Sequence, residues 1–166
     1  MKNLPLLLAL VVLSTSAFAQ KKTKTLEEEV QGMEQDYSLS KRGMVDDFMQ
    51  LTGEQATSFW NVYDAYEAER QALGRKKFDL LVEYAANYES LSAEKADELI
   101  NATFASNKAY DELKMKYYLK VKDVLGAVEA ARFIQFENYL QSVVQGEIQD
   151  ELPFIGEMKK SNKKKK

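Results

Sequence analysis

The sequence contains neither cysteine nor histidine. Without cysteine the chain can form no disulfide and carry out no thiol chemistry. Without histidine it has no Ser-His or Cys-His nucleophile pair, and it lacks the residues that ordinary zinc sites require. Two enzyme designs remain, a carboxylate pair and a Lys or Tyr base, and the sequence holds no EF-hand calcium loop. We therefore expect no enzyme activity, no cofactor, and no catalytic or metal-binding residue.

Proline is also scarce, because only Pro5 and Pro153 occur. The long stretch between them is rich in Ala, Leu, Glu, Lys and Gln, which favour helices. No region shows the alternation of β-branched residues that is typical of strands. These features predict an all-α fold, followed by an extended apolar segment at residues 152–156 that folds back on the helices. The predicted helices cover residues 39–50, 52–88, 92–125 and 128–149.

The first 19 residues have the pattern of a signal peptide. Lys2 precedes an apolar run from Leu4 to Leu13, and residues 17–19 (Ala-Phe-Ala) match the small-x-small cleavage site. We expect cleavage after Ala19 and export of the mature chain, which then begins at Gln20. The alternative is an uncleaved anchor, but the run is shorter than the roughly 20 residues that span a bilayer. The predicted organisation is a signal peptide at 1–19, a helical domain at 20–156 and a disordered basic tail at 157–166.

Charge is unevenly distributed along the chain. Residues 20–156 contain 16 basic and 25 acidic residues, whereas residues 157–166 contain six Lys and one Glu. The acidic body argues against a nucleic-acid partner, because phosphate contacts require a basic face. The polylysine tail either contacts anionic lipid headgroups through charge alone or acts only as a solubilising end. In both cases we expect no stable membrane insertion.

The second predicted helix starts at a capping motif. Leu51-Thr52-Gly53-Glu54-Gln55 places Thr52 at the N-cap and Gln55 at the third helical position, the spacing of a capping box. In that motif the Thr hydroxyl accepts a hydrogen bond from the amide of Gln55, and the Gln side chain returns to the N-cap amide. We interpret Leu51, Thr52 and Gln55 as a structural cap motif, with a direct role in client binding as the alternative.

Apolar residues recur at three-, four- and seven-residue steps along each predicted helix, and they indicate which face is buried. In the first helix we expect Met44, Phe48 and Leu51 to point inward. The third helix has Ser92 as its N-cap and ends at Gly126. The apolar inward positions predicted for the three long helices are Phe59, Tyr63, Tyr66, Leu73, Leu80, Tyr84, Leu99, Tyr110, Leu113, Tyr117, Val121, Val124, Ile134, Phe136, Leu140 and Val144.

The second and third predicted helices are each about 50 Å long at 1.5 Å per residue. A short link around residues 89–91 joins them into a long antiparallel hairpin with flanking helices. Such a thin hairpin cannot cover all of its own apolar and aromatic side chains. We therefore expect an exposed surface that a second copy or a client protein covers.

Two motifs carry a resemblance to a known family. The first is LTxxQ at Leu51 to Gln55, and the second is a degenerate copy, Leu-Gly-Ala-Val-Glu, at residues 125–129. With these motifs the sequence resembles the Spy/CpxP family of periplasmic proteins, over residues 39–156. The runs Phe-Trp-Asn-Val-Tyr at 59–63 and Ala-Arg-Phe-Ile-Gln-Phe-Glu at 131–137 resemble a branch described as sensors linked to envelope sigma factors.

The resemblance implies a curved, all-α antiparallel dimer whose concave, cradle-shaped face holds unfolded proteins without ATP. Some relatives instead bind the sensor domain of a stress-signalling kinase. The sequence departs from the family pattern in three ways. The second motif lacks the Thr and the Gln, the body is acidic where a chaperone of the family has a cationic cradle, and the His residues of metal-binding relatives are missing. The last departure removes zinc as a ligand.

Aromatic side chains are the candidates for a client or partner surface. Phe59 and Trp60 are adjacent and cannot share one helix face, so we expect Phe59 inward and Trp60 toward the cap or a dimer interface. Tyr88, Tyr118 and Tyr139 fall off the inner stripes and are predicted to be exposed. The alternative is that these side chains only pack between helices.

The leading hypothesis is an ATP-independent chaperone of the envelope stress response that captures unfolded or envelope proteins as a homodimer. The alternative is a regulatory adaptor or sensor that binds one signalling partner, a sensor kinase or a component of a sigma-factor pathway. A third hypothesis is a hydrolase with a carboxylate pair, which requires two acids about 5–10 Å apart in a cleft. A thin helical hairpin offers no obvious cleft for such a pair.

Overall fold

The structure of the protein, a computed structural model, describes residues 37–152. In this range the chain forms four helices and no strand, which confirms the all-α prediction. The predicted signal peptide, the residues before 37, the segment 153–156 and the basic tail lie outside the described residues. The helices are α1 (residues 37–49), α2 (Gly53–Asn87), α3 (Ala93–Leu125) and α4 (Ala127–Glu151).

The two ends of α3 follow from local sequence. At its start the Ser92 hydroxyl accepts a hydrogen bond from the amide of Lys95 at 3.2 Å, so the predicted N-cap is confirmed. At its end Gly126 has φ 87°, a conformation that residues with a Cβ rarely adopt. Gly126 alone separates α3 from α4, which confirms the predicted break.

The start of α2 differs from its prediction. Thr52 is the N-cap residue, but its side chain makes no capping hydrogen bond, and both Thr52 and Gln55 are exposed. The predicted capping box is therefore wrong in its hydrogen bonds. The reason is the backbone of Gly53, which has φ 60° at the first helical position, where a capping box needs helical geometry. Leu51 of the same motif is half-buried and packs against the core.

The core lies where all four helices meet. Phe59 and Phe133 form an edge-to-face pair with ring centroids 5.5 Å apart, and Phe133 meets Tyr66 in the same way at 5.3 Å. Tyr66 in turn meets Tyr117 of α3 at 5.3 Å. Each such aromatic pair stabilises the fold by about 0.5–1.5 kcal/mol, in addition to the free energy gained by burying its apolar surface. The predicted inward residues that are buried are Phe59, Tyr63, Tyr66, Leu99, Tyr110, Leu113, Tyr117, Val121 and Leu140.

Several other predicted inward residues lie elsewhere. Met44 and Val124 are exposed, so these two predictions are wrong. In α1 the buried stripe runs through Lys41, Val45 and Met49, one helical position away from Met44. Val124 lies in the last turn of α3, beyond the final buried residue of that helix. The predicted inward residues that are only half-buried are Phe48, Leu51, Leu73, Leu80, Tyr84, Ile134, Phe136 and Val144.

The two longest helices, α2 and α3, pack against each other and are joined through the short 3-10 turn Tyr88–Ser90. Lys95 pairs with Glu83 close to this turn. Lys116 pairs with Glu69 at 2.7 Å, further from the turn along both helices. The contacts thus join positions at similar distances from the turn.

α1 and α4 contact each other through Phe48. Its ring stacks on the ring of Phe136 with centroids 4.3 Å apart. Arg132 of α4 donates a hydrogen bond to the backbone carbonyl of Phe48 at 3.0 Å. These contacts join the first and last described helices at the end of the molecule where α2 begins and α3 ends.

Candidate functional site

A row of exposed apolar side chains runs along the outward face of α3. It consists of Ile100, Phe104, Met115 and Leu119, and we call it the α3 stripe. Phe104 is 63% exposed and Met115 is 68% exposed. With 3.6 residues per turn, the four positions fall within an arc of about 100° and extend over about 28 Å. The structure thus presents apolar surface on a side of α3 that faces away from the buried core.

Charged side chains lie among the residues of the α3 stripe. Lys108 pairs with Glu112 at 3.8 Å, and Asp111 pairs with Lys114 at 2.9 Å. The Lys108–Glu112 pair is exposed and contributes little to stability, so its charges remain hydrated, as does the exposed carboxylate of Asp111. The α3 stripe thus combines separated apolar side chains with hydrated charges.

A second exposed group on α4 extends an aromatic row from the core. Tyr139 is 59% exposed, and its ring stacks on Phe136 with centroids 6.2 Å apart. Phe136 is the ring that stacks on Phe48 of α1. Val128 and Val143 are also exposed and fall on the same side of α4. Of the four aromatic residues predicted as candidates for a partner surface, Tyr139 is the one whose side chain is exposed.

The other three predicted surface aromatics are less accessible. Trp60, Tyr88 and Tyr118 are half-buried, which corrects the prediction of exposure for the two tyrosines. Trp60 meets Tyr63 edge-on at 5.2 Å and lies under the guanidinium of Arg42 at 4.1 Å. Phe59 is fully buried, so the prediction that it points inward is confirmed.

These candidates do not converge on one surface. Trp60 and Tyr88 stand near opposite ends of α2, about 42 Å apart at 1.5 Å per residue. Tyr118 packs against the core cluster, whereas Tyr139 lies on the outer side of α4. Sequence reasoning chose residues by aromatic type and missed the α3 stripe. The stripe has a signal in the sequence, the four-residue steps from 100 to 104 and from 115 to 119.

An apolar groove of about 210 Å3 lies between α2 and α3 on the side of the connecting turn. Aliphatic and aromatic side chains form most of its wall, and the residue that follows α4 lines it as well. Ile100 belongs both to the groove wall and to the α3 stripe. The principal apolar lining residues are Leu80, Leu81, Tyr84, Leu99, Ile100 and Leu152.

The least expected feature is a buried ionic cluster that joins three helices. The Lys41 side chain of α1 is almost completely buried, and its ammonium lies 2.9 Å from both Glu67 of α2 and Glu137 of α4. Tyr66 donates a hydrogen bond to Glu137 at 2.7 Å. Arg70 donates two hydrogen bonds to Glu67, at 2.6 and 2.8 Å. Buried charges need such compensation, because an unpaired one costs several kcal/mol, roughly 3–5 on loss of a partner.

The electrostatics of this cluster favour the ionised form of Glu67. Burial acts to raise the pKa of Glu67, but hydrogen bonds from Arg70 and the charge of Lys41 outweigh it, so the pKa is lowered. Burial and the nearby Glu137 carboxylate raise the pKa of Tyr66 well above its ordinary range. A carboxyl that serves as a general acid needs a raised pKa, so the arrangement around Glu67 suits the attachment of α1 rather than proton transfer.

Among residues 37–152, no group of three or more acidic side chains is placed to hold a metal ion. Within the same range, none of the helices combines the length and apolar character needed to cross a bilayer. Comparison of the chain with family models, curated proteins and solved structures finds no match. The exposed apolar surface is therefore the feature of the described residues that bears on function.

Proposed function

We propose that this protein is an ATP-independent chaperone of the periplasm, an accessory of the envelope stress response that captures unfolded clients without enzyme activity. The observation that carries the proposal is the α3 stripe, in which Phe104 and Met115 are more than 60% exposed. Exposed apolar side chains that line up along one helix face, with hydrated charges between them, suit shallow binding of apolar segments of another protein. The resemblance to the Spy/CpxP family supports the same function.

Each side chain of the α3 stripe binds a client only weakly, so capture is reversible. An apolar side chain contributes about 1.5–3 kcal/mol when it is fully buried, and the stripe offers four partly exposed ones. Several shallow contacts give affinity without a defined sequence preference. The hydrated charges of Lys108 and Asp111 keep the complex soluble and limit its lifetime.

The proposed architecture is a long antiparallel hairpin of α2 and α3 within a cradle-shaped homodimer. The pairs Glu83–Lys95 and Glu69–Lys116, at matched distances from the connecting turn, support the hairpin. The exposed apolar residues of α4, Val128, Tyr139 and Val143, give a second copy a surface to cover. The α3 stripe then remains available to clients.

The alternative is an adaptor that binds one envelope signalling partner, such as a sensor kinase or a component of a sigma-factor pathway. The row of Phe48, Phe136 and Tyr139 favours it, because a rigid aromatic anchor that reaches the surface is typical of specific interfaces. An adaptor binds its partner at fixed stoichiometry and does not suppress general aggregation. Under this alternative a Tyr139→Ala variant would lose the partner, and the wild-type protein would not suppress the aggregation of unrelated clients.

The test is suppression of light scattering from reduced, aggregating lysozyme. We expect suppression at one dimer per client, and a loss of most of it in the double variant Phe104→Gln, Met115→Gln. Val82→Gln is the matched control, because Val82 is an exposed apolar residue of α2 outside the stripe. No suppression by the wild-type protein, or equal suppression by the stripe variant, would refute the proposal.

A further inference from the structure

The chain leaves α4 beside the apolar groove between α2 and α3. Leu152, the residue that follows α4, lines this groove together with Leu80 and Leu99. Its backbone is extended, with φ −93° and ψ 129°. Pro153 comes next, and the residue before a proline is disfavoured in the helical conformation. The sequence therefore directs the chain out of α4 in an extended form at the wall of the groove.

An extended chain places alternate side chains on the same side. Phe154 stands two residues after Leu152. If the chain continued in the extended form of Leu152, the Phe154 ring would lie on the side of Leu152, roughly 7 Å further along, and Ile155 would face the opposite side. Such a course would carry Phe154, and not its neighbour, toward the groove that Leu152 lines.

The groove suits a phenyl ring in size and chemistry. Its volume is about 210 Å3, and a cavity of about 150 Å3 lined by apolar side chains is large enough for benzene. Thr103, one of the few polar residues in the wall, donates its hydroxyl to the carbonyl of Leu99 at 2.8 Å. The Thr103 hydroxyl is thereby already used, and the other polar residues of a mainly apolar wall are Lys77 and Ser106.

We propose that this groove is the docking site for Phe154 of the same chain. Burial of the ring fixes the end of α4 on α2 and α3 and completes the apolar packing near the connecting turn. The occupant is tethered only two residues from Leu152, so its effective concentration is on the order of millimolar or higher. Any other apolar side chain enters the groove only by displacing Phe154. The inference does not depend on the proposed chaperone function.

The first test compares Phe154 with its neighbour Ile155, which serves as the control. Phe154→Ala should speed amide hydrogen exchange at residues 80–84 and 96–100 by roughly ten- to a hundredfold, the equivalent of one buried aromatic side chain. Ile155→Ala should change it by less than about threefold, because the proposal leaves that side chain outside the groove. Equal exchange in both variants and the wild-type protein would overturn the proposal.

The second test locates the ring directly. The full chain carries the photoreactive residue benzoylphenylalanine at position 154 or, as the control, at position 155, and it is prepared as a mixture of isotopically light and heavy molecules. We expect position 154 to cross-link to Leu80 or Leu99 within one molecule, and position 155 to give no such product. Cross-links between light and heavy molecules would overturn docking within the chain and indicate exchange between copies. Cross-links elsewhere, or none, would overturn it as well.

Discussion

The two ends of the molecule are built differently. At one end, which we call the four-helix end, all four helices surround buried residues such as Tyr63 and Phe133. At the other, the turn end, α2 and α3 meet around Leu80 and Leu99, with Leu152 as the contact from α4. Aromatic pairs and a buried ionic cluster hold the first end, whereas the second contains a groove and half-buried aliphatic side chains. Stability is therefore concentrated where α1 joins the other three helices.

This difference separates two tasks along one pair of helices. The four-helix end fixes the fold, because its contacts connect residues far apart in the sequence, such as Lys41 and Glu137. The α3 stripe extends over both ends, with Ile100 and Phe104 toward the turn end and Met115 and Leu119 toward the four-helix end. The buried contacts of the four-helix end therefore hold in place the helix on which these apolar side chains stay exposed.

The largest expected effect is at the centre of the four-helix end. Phe133→Ala should lower the free energy of unfolding by about 4 kcal/mol, because it removes a fully buried ring that contacts three other aromatic rings. Leu80→Ala at the turn end should cost only about 1–2 kcal/mol, since Leu80 is half-buried. Urea denaturation measures both. Similar losses at the two positions would contradict the division into a stable and a weak end.

The next effect concerns the buried ionic cluster. Lys41→Ala should cost about 3 kcal/mol, because it leaves Glu67 and Glu137 buried without the ammonium between them. Lys108→Ala is the matched control: its pair with Glu112 is exposed, and we expect no measurable loss. Circular dichroism during urea titration reports both variants. If Lys41→Ala were as stable as the control, the cluster would have no role in attaching α1.

Acid should weaken the four-helix end through Glu67. Its pKa lies below the ordinary value of 4.5, so its ionised form contributes stability that is fully present above that value and is lost as the pH falls below it. We expect the free energy of unfolding to decrease from neutral pH to about pH 3, with a smaller decrease in Glu67→Gln. Parallel pH profiles for the two proteins would show that Glu67 is not responsible.

The smallest effect distinguishes the starts of the two longest helices. Ser92→Ala should lower the free energy of unfolding by about 1 kcal/mol, because it removes the hydrogen bond that the hydroxyl accepts from Lys95. Thr52→Ala should change it little, since the Thr52 hydroxyl caps nothing. A larger loss at Thr52 than at Ser92 would restore the capping box that the sequence predicts.

Local patterns in the sequence predict much of the fold. The caps and breaks at Ser92 and Gly126 depend on one or two neighbouring residues, and the buried face of α3 follows from periodicity alone. The entrance to α2 was predicted incorrectly because the left-handed backbone of Gly53 is not visible in the spacing of the motif. Periodicity also fails in α1, where a short helix leaves two neighbouring stripes equally plausible.

The buried cluster is beyond sequence reasoning for a physical reason. Lysine is almost never buried unless it is paired, and the partners Glu67 and Glu137 lie on two other helices, far along the chain from Lys41. Nothing near Lys41 distinguishes it from a surface lysine. For the candidate surface, the sequence predicts uncovered apolar area on long helices, but which face stays uncovered depends on how the helices pack.

A single residue, Gly126, joins α3 to α4. α4 has 25 residues, so it acts as a lever about 37 Å long, and a rotation of about 10° at its base moves its far tip by about 6 Å. That distance is enough to withdraw Leu152 from the groove or push it deeper. A small change in the backbone torsions of Gly126 would thereby alter how closely Leu152 fits the groove at the opposite end of the molecule.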